Sequence, residues 1–287
     1  MNPIIVTDST SDIPEELIER LGIVVVPLKV MFGDTALLDG VDIQAPEFYQ
    51  RLVAADKLPT TSQPSPIEFT EAYQRVLEQH PGAPIVSIHI STGMSGTFQS
   101  ATLGKSMLEN EDADITLIDS RSASYGFGLM VVRAAEMAQN GASPQDIQAE
   151  VERLQSARSL YFLVDTLEYL QKGGRIGRAA AVLGTLLNIK PILSIDKEGV
   201  IYAVEKARGR KKALARVVEL FKEELGSTGK VDVAIGHTAK PESADEILEL
   251  LRQHFEVGNV VYSHIGSVVG THVGPGCNAI YIWPSVK

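Results

Sequence analysis

The amino-acid sequence predicts an α/β protein of two domains. Residues 1–158 read as an N-terminal three-layer α/β/α domain with a parallel sheet, and residues 159–287 as a C-terminal two-layer α/β domain with a mixed sheet. Three observations predict it. The first half repeats a short apolar strand, a polar loop and a helix, which is the pattern of parallel strands with covering helices. The second half carries two strand candidates joined only by "KEG", a hairpin-like connection that the first half lacks. Finally, 287 residues exceed a usual single domain, and a hydrophobic content of 44% is enough for sizeable cores.

The elements follow in order. "IIVT" (Ile4 to Thr7) is a strand, and in "DSTSDIPEEL" Asp12, with Pro14 and Glu15 behind it, marks a helix N-terminus. "PIVSIHI" leads into "STGMSGTFQSATLGKSML", and "DITLID" into "SRSASYGFGLMVVRAAEMA". Ligands of such sheets collect at the carboxyl ends of the strands, here the loops that begin at Asp8, Ser91 and Asp119. A helix with Pro144 just inside its start then reaches "LYFLVD". Strands "KPILSID" and "VIYAVEKA" are followed by helix "KKALARVVELFKEEL", strand "VDVAIGH", helix "PESADEILELLRQHF" and two closing strands, with the helices expected on one face.

Charge and composition exclude several function classes. The 26 Lys and Arg against 36 Asp and Glu leave a net charge of -10, which disfavours general affinity for nucleic acid or an anionic membrane. Any anion site must therefore be local. The single cysteine, Cys277, rules out an intramolecular disulfide and a Cys-based zinc cluster and fits a reducing compartment. The start has no basic region followed by an apolar stretch, and the longest apolar run, "AAAVLGTLL", is too short to span a bilayer. A soluble cytoplasmic protein without stable membrane insertion is expected.

Four polar loops carry the candidate chemistry. In "LPTTSQPSP" three prolines stiffen a run of hydroxyls, and Ser65-Pro66 opens the next helix. "STGMSGTFQSA" presents Ser95 and the Gly96 amide at a helix start, a ready anion site or a plain cap. In "LEYLQKGGRIGRAAAVLG" the basic side chains Lys172, Arg175 and Arg178 read as the start of a helix, where the dipole disfavours cations unless an anion is present. "GTHVGPG" surrounds His272 with three glycines. It reads either as a tight turn or as a nest of convergent amides to which the imidazole adds a donor, and a bound carboxylate would favour the protonated ring.

Other chemistries find little support. There is no G-x-x-x-x-G-K-[ST], no G-x-S-x-G and no H-E-x-x-H in the chain. "GPGCNA" precedes a strand, so a dinucleotide reading is weak. Asp8 and Asp119 read as loop caps with a metal as the lesser alternative, and no metal or cofactor is expected; His237, at another strand end, is a further site candidate.

Taken together, "VTDSTSDIP", "TTSQPSP", "STGMSGTFQSA", "LEYLQKGGRIGRAAAVLGTLLNIKPIL", "KARGRKKAL" and "GTHVGPG" resemble the DegV family of bacterial fatty-acid-binding proteins, in order, from residue 6 to residue 276. The resemblance implies a DegV-like two-domain fold with one long-chain fatty acid, such as palmitate or oleate, in a tunnel between the domains. It also implies a carrier, not a catalyst, that presents the carboxylate to a dihydroxyacetone-kinase-like fatty acid kinase, which makes an acyl-phosphate for phospholipid synthesis. Carried onto this sequence, it implies carboxylate contacts at Thr61, Ser62, Ser95, the Gly96 amide, Thr271 and His272. Arg175 is implied near the head group, and Arg208 and Arg210 where phosphate or the partner docks. "YFLVDTLEYL" and "AAVLGTLLNIKPIL" are candidate tunnel walls, and Cys277 and Asn278 depart from the small apolar residues expected there. The alternative is an enzyme: a hydrolase using Ser95 and His272 with Asp8 or Asp119, or a phosphotransferase related to dihydroxyacetone kinases.

Overall fold

The computed structural model describes residues 1–110, 112–157, 159–184, 189–226, 229–238 and 242–285. From the N-terminus it runs β1 (Ile4–Asp8), α1 (Glu15–Leu21), β2 (Val24–Val26), β3 (Lys29–Phe32), β4 (Thr35–Leu38), α2 (Ala45–Ala54), β5 (Thr60–Ser62) and α3 (Pro66–Gln79). There follow β6 (Ile85–His89), α4 (Thr97–Ser106), β7 (Ile115–Asp119), α5 (Tyr125–Gln139) and α6 (Pro144–Ala157). The second half contains β8 (Ser159–Leu163), α7 (Glu168–Lys172), β9 (Ile189–Ile195), β10 (Ile201–Arg208), α8 (Arg210–Leu225), β11 (Val231–His237), α9 (Glu242–Arg252), β12 (Val257–His264), α10 (Ser267–Val273) and β13 (Asn278–Pro284).

The fold is the α/β arrangement that the sequence predicts. Strands β2-β1-β6-β7 form a four-stranded sheet with parallel pairing throughout. Alternation along its strands sends Val6, Ile85 and Ile115 against α3 and α4, and Ile5, Val86, Ile88 and Ile118 against α5 and α6, giving three layers. Strands β10-β9-β8-β13-β11-β12 form a mixed sheet in which only β11 and β12 run parallel. Its Tyr161, Leu163, Val233, Ile235 and Ile280 pack against α8 and α9 on one face. Leu160, Phe162, Leu193, Ala279 and Tyr281 point the other way, into the core shared with α5. Helix α5 is thus covered by a sheet on each side, which accounts for its run of buried positions from Tyr125 to Gly128 and again from Met130 to Val132. The expected boundary residue at 158 lies outside the described residues, as do 185–188 of the candidate wall and 239–241 after His237.

Several local expectations need correction. Residues 24–38 and 60–62, in which no strands were expected, build β2 and a three-stranded antiparallel ribbon, β4-β3-β5, so "TTS" is a strand and not a loop. Asp12 does not cap α1: the cap position is Pro14, and Asp12 is buried with its side chain committed elsewhere. Lys172 ends α7 instead of starting a helix, and it pairs with Glu168 one turn back. Arg178 lies in a 3-10 turn and pairs with Asp196 and Glu198, so the dipole conflict read there does not arise. "GTHVGPG" is half helix: α10 runs through His272, and only Gly274 (φ 72) and Gly276 (φ 84) take the left-handed backbone of a turn. Gly270 is required for another reason, since a Cβ there would lie 2.5 Å from the Tyr49 hydroxyl. The Ser65-Pro66 start of α3 and the Pro144 start of α6 stand as read, and the structure adds a capping box between Ser65 and Glu68.

Candidate functional site

Between the two sheets lies a cavity of about 840 Å³, counted with its opening to solvent. Its walls come from the apolar face of the mixed sheet (Leu160, Phe162, Ile195, Ile201, Ala279) and from Val268, Val269 and Val273 of α10. The N-terminal domain adds Leu28, Ile90, Met94 and Ala123, the last three from the strand-end loops where ligands were expected. Phe162 and Leu170 of "YFLVDTLEYL" line it, as does Cys277, whose thiol is pushed up by burial.

One part of the wall is polar: Thr61, Gln63, Ser95, Arg175 and His272. Strand alternation aims Thr61 of β5 inward, and its Oγ1 lies 2.9 Å from His272 Nε2. The same alternation turns Ser62 outward, where its hydroxyl reaches only the Gln63 carbonyl at 3.3 Å. Ser95 Oγ shares a 2.8 Å hydrogen bond with Thr97 Oγ1 at the start of α4, beside Gly96. Arg175 Nε donates to the Met94 carbonyl (3.0 Å) and Nη1 to the Gly173 carbonyl (2.9 Å), which fixes the guanidinium and leaves further donors for a ligand. Thr271 faces away: its hydroxyl bonds back to the Ser267 carbonyl at 2.8 Å and is buried. Arg208 is exposed, and Arg210 donates to Asn278 Oδ1 at 2.9 Å, next to Cys277 of the wall. The structure therefore brings Thr61, Ser95, Arg175 and His272 to one place and does not bring Ser62 or Thr271 there. Sequence reasoning missed Gln63, Ser124 and Tyr281, although the alternation of a strand at "TTSQ" would have chosen Thr61 and Gln63 over Ser62.

The electrostatics suit an anion. Arg175 is the one permanently charged side chain on the cavity wall among the described residues. Burial, helped by repulsion from Arg175, pushes the His272 pKa down to about 4, so the imidazole is neutral at neutral pH. Its Nδ1 is buried without a partner among the described residues.

Helix α10 carries this histidine, and two carboxylates hold the helix. Asp12 accepts from the Gly266 amide (2.9 Å), and Asp39 from the Ser267 amide (2.9 Å) and hydroxyl (2.6 Å), where negative charge favours a helix N-terminus. Burial raises both their pKa values, for Asp12 strongly.

A hydrolytic triad is not assembled around His272. Asp8 bonds His89 Nδ1 at 3.0 Å in a sealed chain that continues through Ser87 to Tyr73. Asp119 caps its own loop through Thr92 and Arg121. His237 is not on the cavity wall but packs edge-on against His264 with ring centroids 4.4 Å apart; burial first, then His264, lowers its pKa to about 4. Among the described residues no group of three or more His, Cys, Asp or Glu could hold a metal, and no helix is long and apolar enough to cross a membrane.

The cavity thus joins an extended apolar wall to a polar cluster that carries one guanidinium, the layout of an amphiphile-sized site in a two-sheet α/β protein. The chain belongs to the DegV family: residues 4–285 match the model described as uncharacterised protein, DegV family. It is 38% identical to the protein DegV of Bacillus subtilis over 281 residues, 98% of each chain. Its fold matches that of a DegV family protein from Thermus thermophilus, described by its fatty acid binding, with a TM-score of 0.92, 36% identity and coverage of 99% and 100% of the two chains. A stearic acid-binding protein from Eubacterium ventriosum matches with a TM-score of 0.90 and 31% identity over 98% of each chain.

Proposed function

We propose that this protein binds one long-chain fatty acid in the cavity between its sheets and presents the carboxylate to a fatty acid kinase, which forms the acyl-phosphate used in phospholipid synthesis. The observation that carries the binding is the joining of an apolar cavity wall to the Thr61, Ser95, Arg175 and His272 cluster. Physical scale supports it. A sixteen-carbon tail at about 0.8 kcal/mol per buried CH₂ offers on the order of 10 kcal/mol of gross transfer energy, enough to hold the ligand after association costs. The carboxylate cannot enter a dry site unpaired without a penalty of several kcal/mol, so hydroxyls, an imidazole and a guanidinium meet it. Arg175 is already bonded to two carbonyls, so it does not offer its whole fork to the ligand, and neutral donors grip the nucleophilic oxygens less tightly than a full bidentate pair. That suits a head group that must later react.

Relatives described as fatty acid binding support the lipid; the kinase rests on the family resemblance together with the exposed Arg208, two residues before the Arg210 that bonds Asn278. Solvent extraction and mass spectrometry of the purified protein should recover about one fatty acid per chain. Recovery of none, with no uptake of added palmitate or oleate, would end the reading. The kinase half is tested by adding a dihydroxyacetone-kinase-like protein from the same genome and ATP to the loaded protein. Acyl-phosphate should form, and should fall with Arg208→Glu while lipid binding is spared; normal phosphorylation of that variant removes the patch from the account.

A further inference from the structure

We propose that His272 takes up a proton when the ligand carboxylate binds, so that the site holds its anion more tightly as pH falls. The proposal rests on the carrier reading and concerns the regulation of the same site.

The geometry comes first. His272 is placed with Nε2 at 2.9 Å from Thr61 Oγ1, and both residues line the cavity. If Nε2 accepts the Thr61 proton, that hydroxyl is spent and cannot serve a ligand. If Nε2 carries the proton, it donates to Thr61 Oγ1 and frees the Thr61 O–H to donate to a carboxylate. An anion therefore selects the ring with hydrogen on Nε2. In that ring Nδ1 is a bare, buried acceptor with no donor near it among the described residues, in a space so tight that a Cβ on Gly173 would come within 2.3 Å. Nδ1, on the side of the ring that faces Gly173, is thus the nitrogen left for a second proton.

The charges facing the ring are few. From α7 come Tyr169 and, in an exposed pair with each other, Glu168 and Lys172; from the segment that follows comes Arg175. Strand β5 contributes no titratable side chain, α2 presents Tyr49, whose hydroxyl is donated to the Ile265 carbonyl, and on β3 Lys29 is paired with Glu68. Of these, only Arg175 acts on His272, and with burial it keeps the ring neutral in the empty site. A carboxylate placed among Thr61, Ser95 and Arg175 cancels that repulsion and adds an attraction of its own, and both raise the imidazole pKa. Linkage then fixes the sign. Between the pKa of the empty site, about 4, and the higher value of the loaded site, affinity falls as pH rises, by up to about tenfold per pH unit. Above the loaded value it is flat.

The test is calorimetry of the delipidated whole protein with decanoate, at about pH 6 and about pH 8, in two buffers of different ionisation enthalpy. Expected is a buffer-dependent heat at the lower pH that reports net proton uptake, smaller at the higher pH, and no uptake in His272→Gln. Normal binding with buffer-independent heats at both pH values overturns the proposal, as does undiminished uptake in the variant. Should the variant bind too weakly to measure, ring-labelled histidine resonances of the wild-type protein decide: the His272 pKa must rise on loading, and an unchanged value overturns the proposal. Absence of decanoate binding by the wild-type protein removes the carrier reading itself.

Discussion

Gly173 and His272 share a space that admits no further carbon, and this gives the site a test at the level of one methyl group. Gly173 has an ordinary helical backbone (φ -75), so alanine is tolerated by the chain itself. Its methyl, however, would meet His272 Nδ1 at 2.3 Å and push the ring off Thr61. Gly173→Ala should therefore lower fatty-acid retention at least tenfold while shifting the Tm of the ligand-free protein by only a few degrees; normal retention would show that the ring position does not matter. Removing the imidazole should act likewise: His272→Ala weakens retention and leaves the ligand-free Tm nearly unchanged, and a loss of many degrees would make the histidine structural. The empty protein should also be acid-sensitive. The His272 and His237 pKa values are lowered to about 4 in the folded state, whereas in the unfolded chain they sit near 6.5. The unfolded chain then binds more protons between those values, so stability is full above about pH 6.5 and is lost as pH falls toward 4. Urea unfolding of ligand-free protein at pH 7 and pH 5 checks this, and His272→Gln should flatten part of the slope.

At the scale of the element, α10 is the part that must hold still, and the buried carboxylates at its start do the holding. Asp12→Ala removes the acceptor of the Gly266 amide and of the Ser124 hydroxyl, at a cost of about 1–3 kcal/mol. Asp12→Asn keeps an acceptor and sheds a charge that burial already disfavours, so it should cost less than half as much by chemical denaturation. Equal losses would mean that Asp12 acts through its charge and not through the hydrogen bonds. The sequence made these elements hard to read for definite reasons. Strands β3, β4 and β5 are three or four residues long, too short to show alternation, and Thr60 to Ser62 carry the hydroxyls of a typical loop. Helix α10 contains one glycine and four β-branched residues within seven positions, a composition with low helix propensity that tertiary anchoring by Asp12 and Asp39 overrides. Longer elements with caps, such as α3 and α6, were legible.

Across the whole molecule, the strand order follows from composition more readily than the cavity does. The apolar runs, the "KEG" hairpin between β9 and β10 and the alternating helices were enough for a parallel sheet followed by a mixed one. The site was legible only in part, because Thr61, Ser95, Arg175 and His272 lie far apart in the chain and are gathered by the packing of one sheet against the loops of the other. One polar contact between the halves is the bond from Ser91 Oγ to the Gly199 carbonyl at 2.8 Å, at the tip of the β9–β10 hairpin. A ligand held between the two halves should raise Tm in proportion to the logarithm of its free concentration over Kd. The most direct test of the central claim is a crystal structure of the protein saturated with stearate. Continuous acyl density is expected along Leu160, Phe162, Ile195 and Val268, with the carboxylate within hydrogen-bonding distance of Thr61 or His272 and facing Arg175. A cavity that stays empty, or a carboxylate at the Ser124 and Tyr281 side, would contradict it.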